Sequence, residues 1–333
     1  MIRVHCFVSC VCEALKRVPG VDQRPYYFGV WDAPFAVTEN VALAYHTHGS
    51  RQRFFREWYE RLYEAPIREW YDHDAPKAVN LRRLQGFVED RPPGRNVLVM
   101  LDLFRLPERE NKFNQNPFPH YVMLQATPNP EEWLMQDPDF RWEGTLPKAR
   151  ILDAVASPAV AGGFCFDDGA IRPAKDAAVR EYFATCWSYP HNAFTQALRD
   201  IVQAHLDGRA RGGLPELASA LRQIPVIAIR KYAYEHGLAF FWRALALDVP
   251  EFERWCDEVD ALVKGYSAVQ YRVMKLSLSN DPGLAPGVLE LLEQQDARER
   301  RIKRRLLEVH DLWCSDLDAP IRPVRTNPGG TLP

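Results

Sequence analysis

Hydrophobic and polar positions follow two regimes along the chain, a mixed one up to about residue 171 and a helical one beyond it. Val8, Cys12, Leu15 and Val18 recur at helical spacing, which predicts a helix over residues 6–17 closed by Pro19-Gly20. Residues 24–32 are aromatic and carry a glycine, and read as a loop or short strand. Residues 52–62 and 67–71 read as helices, and 79–88 as a short helix or strand. The almost unbroken apolar run at 96–103 predicts a central strand. Residues 121–125 and 132–136 predict two more, joined as a hairpin by a short proline-rich link. Glycine and proline punctuate residues 144–147, from which a helix is expected to run to about 155, and 161–168 reads as a further strand. The remaining pattern predicts helices over 177–186, 193–206, 215–223, 226–247, 252–271 and 289–314. Their breaks are Pro190, Gly212-Gly213, Pro225, Pro250 and the stretch from Pro282 to Pro286.

The expected fold class is α+β, with a front domain over residues 1–171 and a mostly helical domain over 172–333. Hydrophobic residues make up 47% of 333, enough for a substantial core and too many for global disorder. The net charge of −2 leaves no footprint for nucleic acid or an anionic membrane. No apolar run reaches the roughly 20 residues of a membrane span, and the first residues lack a secretion signal. A cytoplasmic protein is therefore expected. The charge run at 298–305 reads as a solvated helix face, and the last seven residues as a frayed tail. Seven scattered cysteines do not suggest a disulfide framework. Cys6, Cys10 and Cys12 cluster, but their spacing is not that of a zinc knuckle and no second ligand pair follows.

Three residues change this picture. Cys6 opens the first predicted helix, His120 lies on one predicted strand and Asp137 at the end of the next. A helix N-terminus and a neighbouring imidazolium both favour a thiolate. An acid on the far side of the imidazole fixes its tautomer. Such a thiolate attacks a thioester to form an acyl-enzyme, which an amine then opens. The Cys6 backbone N–H would supply one oxyanion donor; the second is not evident. Each residue also has an ordinary reading: an inert cysteine, a structural histidine at a strand edge, an aspartate in an Asp-Pro turn. Cys10, one turn on, is the rival nucleophile, deeper in the helix where the dipole helps less. His5, His46 and His48 are alternative bases. The last two, two residues apart, would share a strand face.

Around these residues the chain resembles a known family. His5-Cys6 entering a helix, Arg24-Pro25-Tyr26-Tyr27-Phe28-Gly29, the strand at 97–103 with its Asp102, the His120-Tyr121-Val122 strand, Leu134-Met135-Gln136-Asp137 and the helix near Ala149-Arg150 are together similar to the butirosin biosynthesis protein H-like family of papain-like cysteine acyltransferases. The resemblance covers residues 4–155. It departs at Val30-Trp31-Asp32 and in extra residues from Pro107 to Pro119. It implies a papain-like front domain in which Cys6 is the nucleophile, His120 the base and Asp137 the orienter. The acyl donor would be a thioester on the phosphopantetheine arm of an acyl carrier protein, with no other cofactor or metal. The acceptor would be a small-molecule amine, in a natural-product or siderophore-like pathway.

Tyr27, Trp31 and Asp102 are the expected substrate-binding residues. Asp102 would either hold the polar loop at 107–119, which reads as a substrate lid, or bind the acceptor amine. Carrier proteins are acidic, so Arg51, Arg53, Arg56 and Lys77, or else Arg82 and Arg83, are the candidates for a docking surface, unless they are simply solvated helix charges. Two other readings share these residues: a thioesterase or peptidase that uses water in place of the amine, and a scaffold without activity whose helical half binds proteins.

Overall fold

The computed structural model describes residues 5–46, 52–111 and 113–318. In the front half, α1 (Cys6–Leu15) is followed by a 3-10 turn at Arg24–Gly29 and a small hairpin of β1 (Ala36–Val37) and β2 (Leu43–Ala44). Then come α2 (Arg53–Tyr63), β3 (Arg68–Glu69), α3 (Lys77–Glu89), β4 (Arg95–Asp102), β5 (Pro119–Ala126), β6 (Glu132–Asp137), β7 (Trp142–Pro147), α4 (Lys148–Ala156) and β8 (Gly163–Asp167). The second half is helical: α5 (Asp176–Cys186), α6 (Ala193–Leu206), α7 (Leu217–Ala220), α8 (Ile224–Ala228), α9 (Ala233–Ala244), α10 (Val249–Ser279) and α11 (Ala285–Asp318). The class is α+β, with a helical C-terminal region.

Six strands form one antiparallel sheet in the order β3-β8-β4-β5-β6-β7. Residues 97–101 are apolar throughout because both faces of β4 are covered. Val97, Val99 and Leu101 pack with Leu84 and Val88 of α3 and Ile151 and Val155 of α4. Leu98 and Met100 pack with Phe7 of α1, Tyr121 and Phe164.

Two segments expected to be helical are strands. Residues 67–71 contribute β3, and Trp70 just after it donates its indole N–H toward the carbonyls of Leu98 and Phe164, both at 3.2 Å. The lack of a side chain at Gly163 leaves room for that ring. Residues 142–147 form β7, in which the expected helix start at Gly144 is a mid-strand position; α4 begins only after Pro147. Of the expected helices, 215–223 and 226–247 are broken into short turns and α7, α8 and α9.

The charge run at 298–305 is not wholly solvated. Glu299 and Lys303 are both 0% exposed. The Lys303 ammonium bonds Asp32 at 2.8 Å, and Lys231 bonds both Asp32 and Glu299 at 2.7 Å. The 3-10 turn at Arg24–Gly29 lies inside this helical region. Phe28 stacks on Phe241 and Trp31 on Tyr234, so one hydrophobic cluster joins the two halves. Among the described residues no helix is long and apolar enough to cross a membrane, and no group of three or more His, Cys, Asp or Glu side chains is placed to hold a metal ion. The last seven residues lie outside the described part.

Candidate active site

Cys6 is the first residue of α1, and His5 is its cap. The His5 Nδ1 faces the Val8 N–H at 3.5 Å, and the ring rests on Phe55 with centroids 4.9 Å apart. Burial, and then the charge of Arg230, push His5 well below the ordinary histidine range. Its ring is therefore held as the neutral acceptor that a cap needs, not as a base. The first-turn N–H groups have no partner within the helix and direct positive potential at the Cys6 sulfur. Cys10 and Cys12 are fully buried, and the Cys10 thiol points to the Tyr121 carbonyl at 3.5 Å. Cys6 alone of the three lines the cavities described below.

His120 is the second residue of β5 and Asp137 the last of β6. The register pairs Met123 with Gln136, so Asp137 lies diagonally across from His120 on the same face, within reach of its ring. The His120 Nε2 meets Asp137 Oδ1 at 2.9 Å, and the other carboxylate oxygen accepts from Arg109 at 2.7 Å. All three are buried. Burial alone would raise the Asp137 carboxyl, but His120 and Arg109 hold it below the usual carboxylate range. Burial likewise opposes an imidazolium at His120. Asp137, and after it Cys6, carry it well above the ordinary range. With Nε2 on Asp137, Nδ1 is the atom left for the thiol. Phe140 stacks on the imidazole at 5.0 Å, and Arg109 lies over Trp142 at 4.2 Å, so both partners of Asp137 are fixed by aromatic planes.

Three further side chains complete the site. Asp139 is half-buried near His5 and His120 and accepts from the Ser9 hydroxyl at 2.7 Å; desolvation pushes its carboxyl up. Arg230 comes from the helical half and is 7% exposed. It donates to the carbonyls of Ala33, Pro34 and Tyr45 at 3.3, 3.0 and 3.0 Å, and its charge acts on Cys6. Tyr45 donates its hydroxyl to the Pro119 carbonyl at 3.2 Å, next to His120. None of these was singled out in the sequence. Asp139 follows Asp137 by two residues in Asp137-Pro138-Asp139, the one signal within reach. Arg109 was visible only as part of a polar loop, and Arg230 only as a charge on a helix.

Cys6 borders two cavities. One, of about 330 Å³, is walled by the β1–β2 hairpin, the start of α2 and Met100. The other, of about 50 Å³, is walled by His120, Phe113, Phe118, Phe140, Val226 and Ile229.

The expected substrate-binding residues are elsewhere. Tyr27 is 1% exposed and stacks on His236 at 3.7 Å, while Trp31 donates to the Cys186 carbonyl from within the core. Neither borders these two cavities. Asp102 accepts from the Phe118 N–H at 2.8 Å and the Ser157 hydroxyl at 3.0 Å. It thus holds the end of the loop that carries Phe113 and Phe118. His46 lines the larger cavity, whereas His48 and Arg51 lie outside the described residues. Arg53 is exposed at that cavity and pairs with Glu57. Arg56 pairs with Glu69, Arg83 with Asp72, Lys77 donates to the Val160 carbonyl, and Arg82 is exposed.

Fold and site together define an α+β protein in which a cysteine at a helix start meets a histidine–aspartate pair from two strands. The chain belongs to the DUF6005 family: the DUF6005 N-terminal domain matches residues 1–171 and the DUF6005 C-terminal domain residues 177–326. It is similar to the petrobactin synthase of Bacillus anthracis, with 41% identity over 312 residues, 94% of this chain and 95% of that protein. The family match thus takes in the helical half, whereas the resemblance read from the sequence stopped at residue 155.

Proposed function

We propose that this protein is a cysteine-dependent acyltransferase of siderophore biosynthesis. It would move an acyl group from the thioester of an acyl carrier protein to an amine, through an acyl-Cys6 intermediate. The similarity to a petrobactin synthase over nearly the whole chain supports a biosynthetic enzyme. The likeness of residues 4–155 to the butirosin biosynthesis protein H-like acyltransferases supports the cysteine route and a papain-like arrangement. The observation that carries the reading is Cys6 at the start of α1, bordering the same cavity as a His120 whose Nε2 Asp137 holds.

The chemistry follows from these contacts. In the proposed cycle His120 first takes the Cys6 proton. The Cys6 sulfur bonds to the thioester carbonyl carbon, and the carbon–sulfur bond to the phosphopantetheine arm breaks. The departing sulfur takes the His120 proton. The amine nitrogen then bonds to the acyl carbon, gives its proton to the now neutral His120, and the Cys6 thiolate leaves. Asp137 would stabilise the imidazolium at both ends of this cycle, and the Cys6 N–H would serve as one oxyanion donor.

Cys6→Ala is expected to abolish both transfer and any acyl adduct seen by intact mass. Incubation of the wild type with an acyl thioester, with and without an amine, distinguishes transfer from hydrolysis. A Cys6→Ala protein that transfers at the wild-type rate would end this mechanism.

A further inference from the structure

The two cavities at Cys6 differ in one respect that matters to a transfer reaction. Cys6, His5, Tyr45, Pro119 and Arg230 border both, so the sulfur stands at a shared neck. His120 borders only the smaller one. Any group that exchanges a proton at the reacting carbon must therefore lie on the smaller side. In a double displacement two groups do so: the thiol that leaves and the amine that arrives. They occupy the same position on the carbonyl carbon in successive steps. The acyl chain exchanges no proton and stays bound through both steps.

Resting on the acyltransferase reading, we infer that the two cavities have separate duties. The 330 Å³ cavity holds the acyl group throughout the cycle. The 50 Å³ cavity is the exchange arm, occupied first by the end of the phosphopantetheine arm and then by the amine. The volumes suit this division. The larger cavity is wide enough for the group that must stay. The smaller is a slot between Phe118, Phe140, Val226 and Ile229 that passes only a slim chain end, as both exchanging groups present. The walls also come from different parts of the chain. The acyl cavity is lined by Ala36 and Ala44 of the hairpin. The exchange arm lies between the loop ending at Phe118 and the helical half, through Val226 of α8 and Ile229. Arg230, beside Ile229, ties the neck together by bonding Ala33, Pro34 and Tyr45. The helical half thus shapes the selection of acceptor, and the front half the selection of acyl group.

The test compares Ala36→Trp with Ile229→Trp, and Ala36→Leu with Ile229→Phe in case either tryptophan variant fails to fold. The donors are N-acetylcysteamine thioesters from acetyl to octanoyl, and the acceptors ethylamine and cyclohexylamine. Intact mass on the wild type first establishes the acyl-Cys6 adduct. Its absence there overturns the acyltransferase reading, and this division with it. With the adduct present, filling the acyl cavity at Ala36 is expected to lower kcat/KM for octanoyl relative to acetyl by about tenfold or more. The ratio between the two amines should not move. Filling the exchange arm at Ile229 is expected to lower cyclohexylamine relative to ethylamine by a similar factor, with the acyl-length ratio unchanged. The division is overturned if Ile229 variants alter acyl-length preference, if Ala36 variants alter amine preference, or if each pair moves neither ratio.

Discussion

Asp137 is fully buried and still charged, which is tolerable only because His120 and Arg109 each bond one of its oxygens. Its value to the site is orientation: with Nε2 committed to Asp137, the other ring nitrogen is presented to Cys6. Asp137→Asn keeps the shape but offers the ring the wrong partner, and kcat for acyl transfer is expected to fall by about 10²–10⁴. A second consequence is pH dependence. The folded His120 binds its proton more tightly than the unfolded one, since Asp137 and Cys6 outweigh burial. Such a group stabilises the fold fully below its unfolded pKa of about 6.5. That contribution is lost as pH rises through the higher folded value. The stability advantage of wild type over His120→Gln, measured by urea unfolding, should therefore be largest below about pH 6.5 and shrink as pH rises. An advantage that grows with pH would contradict the assignment. The three central side chains were legible at this scale because a helix start and two strand signals bracket them. Arg109, Asp139 and Arg230 were not, because nothing near a charged residue in sequence tells which carboxylate or carbonyl it will meet.

Among the elements, α11 shows the same limit. Glu299 and Lys303 are four apart and share one helix face, which sequence alone reads as solvated. That face is buried because Lys231 and Asp32, from distant parts of the chain, supply the opposite charges. Tyr234 donates its hydroxyl to Glu299 at 2.8 Å and Lys303 donates to the His191 carbonyl at 2.7 Å, so the ions are solvated by protein. Removing one member strands its partners in the core. Lys303→Met is expected to cost about 3–5 kcal/mol in chemical denaturation, with part of the loss recovered by adding Asp32→Asn. A cost below about 0.5 kcal/mol, the ordinary surface value, would show that the ions are not coupled. The strands β3 and β7 were missed for a related reason. Both are short, and Gly144 and Pro66 punctuate them, so local signals point to a break while the edge of the sheet is what makes them strands.

At the scale of the whole molecule, the boundary near residue 171 separates strand content from helix content but does not divide the core. Phe28 and Trp31 of the front half are buried against Phe241 and Tyr234, and Arg24 donates to the Ala239 carbonyl at 3.0 Å. Each such aromatic side chain contributes about 1.5–3 kcal/mol when fully buried. A chain of residues 1–171 alone would expose them. It is expected to bind a hydrophobic dye and lack a cooperative thermal transition, whereas the full chain shows one. A cooperative, dye-silent fragment would show that the front half folds independently.

By itself the sequence determined the α+β class, the strands at 95–102 and 119–137, most of the long helices, and the placement of Cys6 at a helix start and of His120 and Asp137 on neighbouring strands. These are properties of local periodicity and of residue type at element ends, and both survive in any arrangement of the elements. Only tertiary structure decided that Tyr27 and Trp31 are packing residues, that Asp102 holds a loop, and that His5 is a cap. It also decided that Arg109, from a loop, bonds Asp137 and that Arg230, from the far half, borders the cavities at Cys6. Each of these depends on which charges and surfaces meet across many residues of chain, and burial changes the meaning of a side chain without changing its neighbours in sequence.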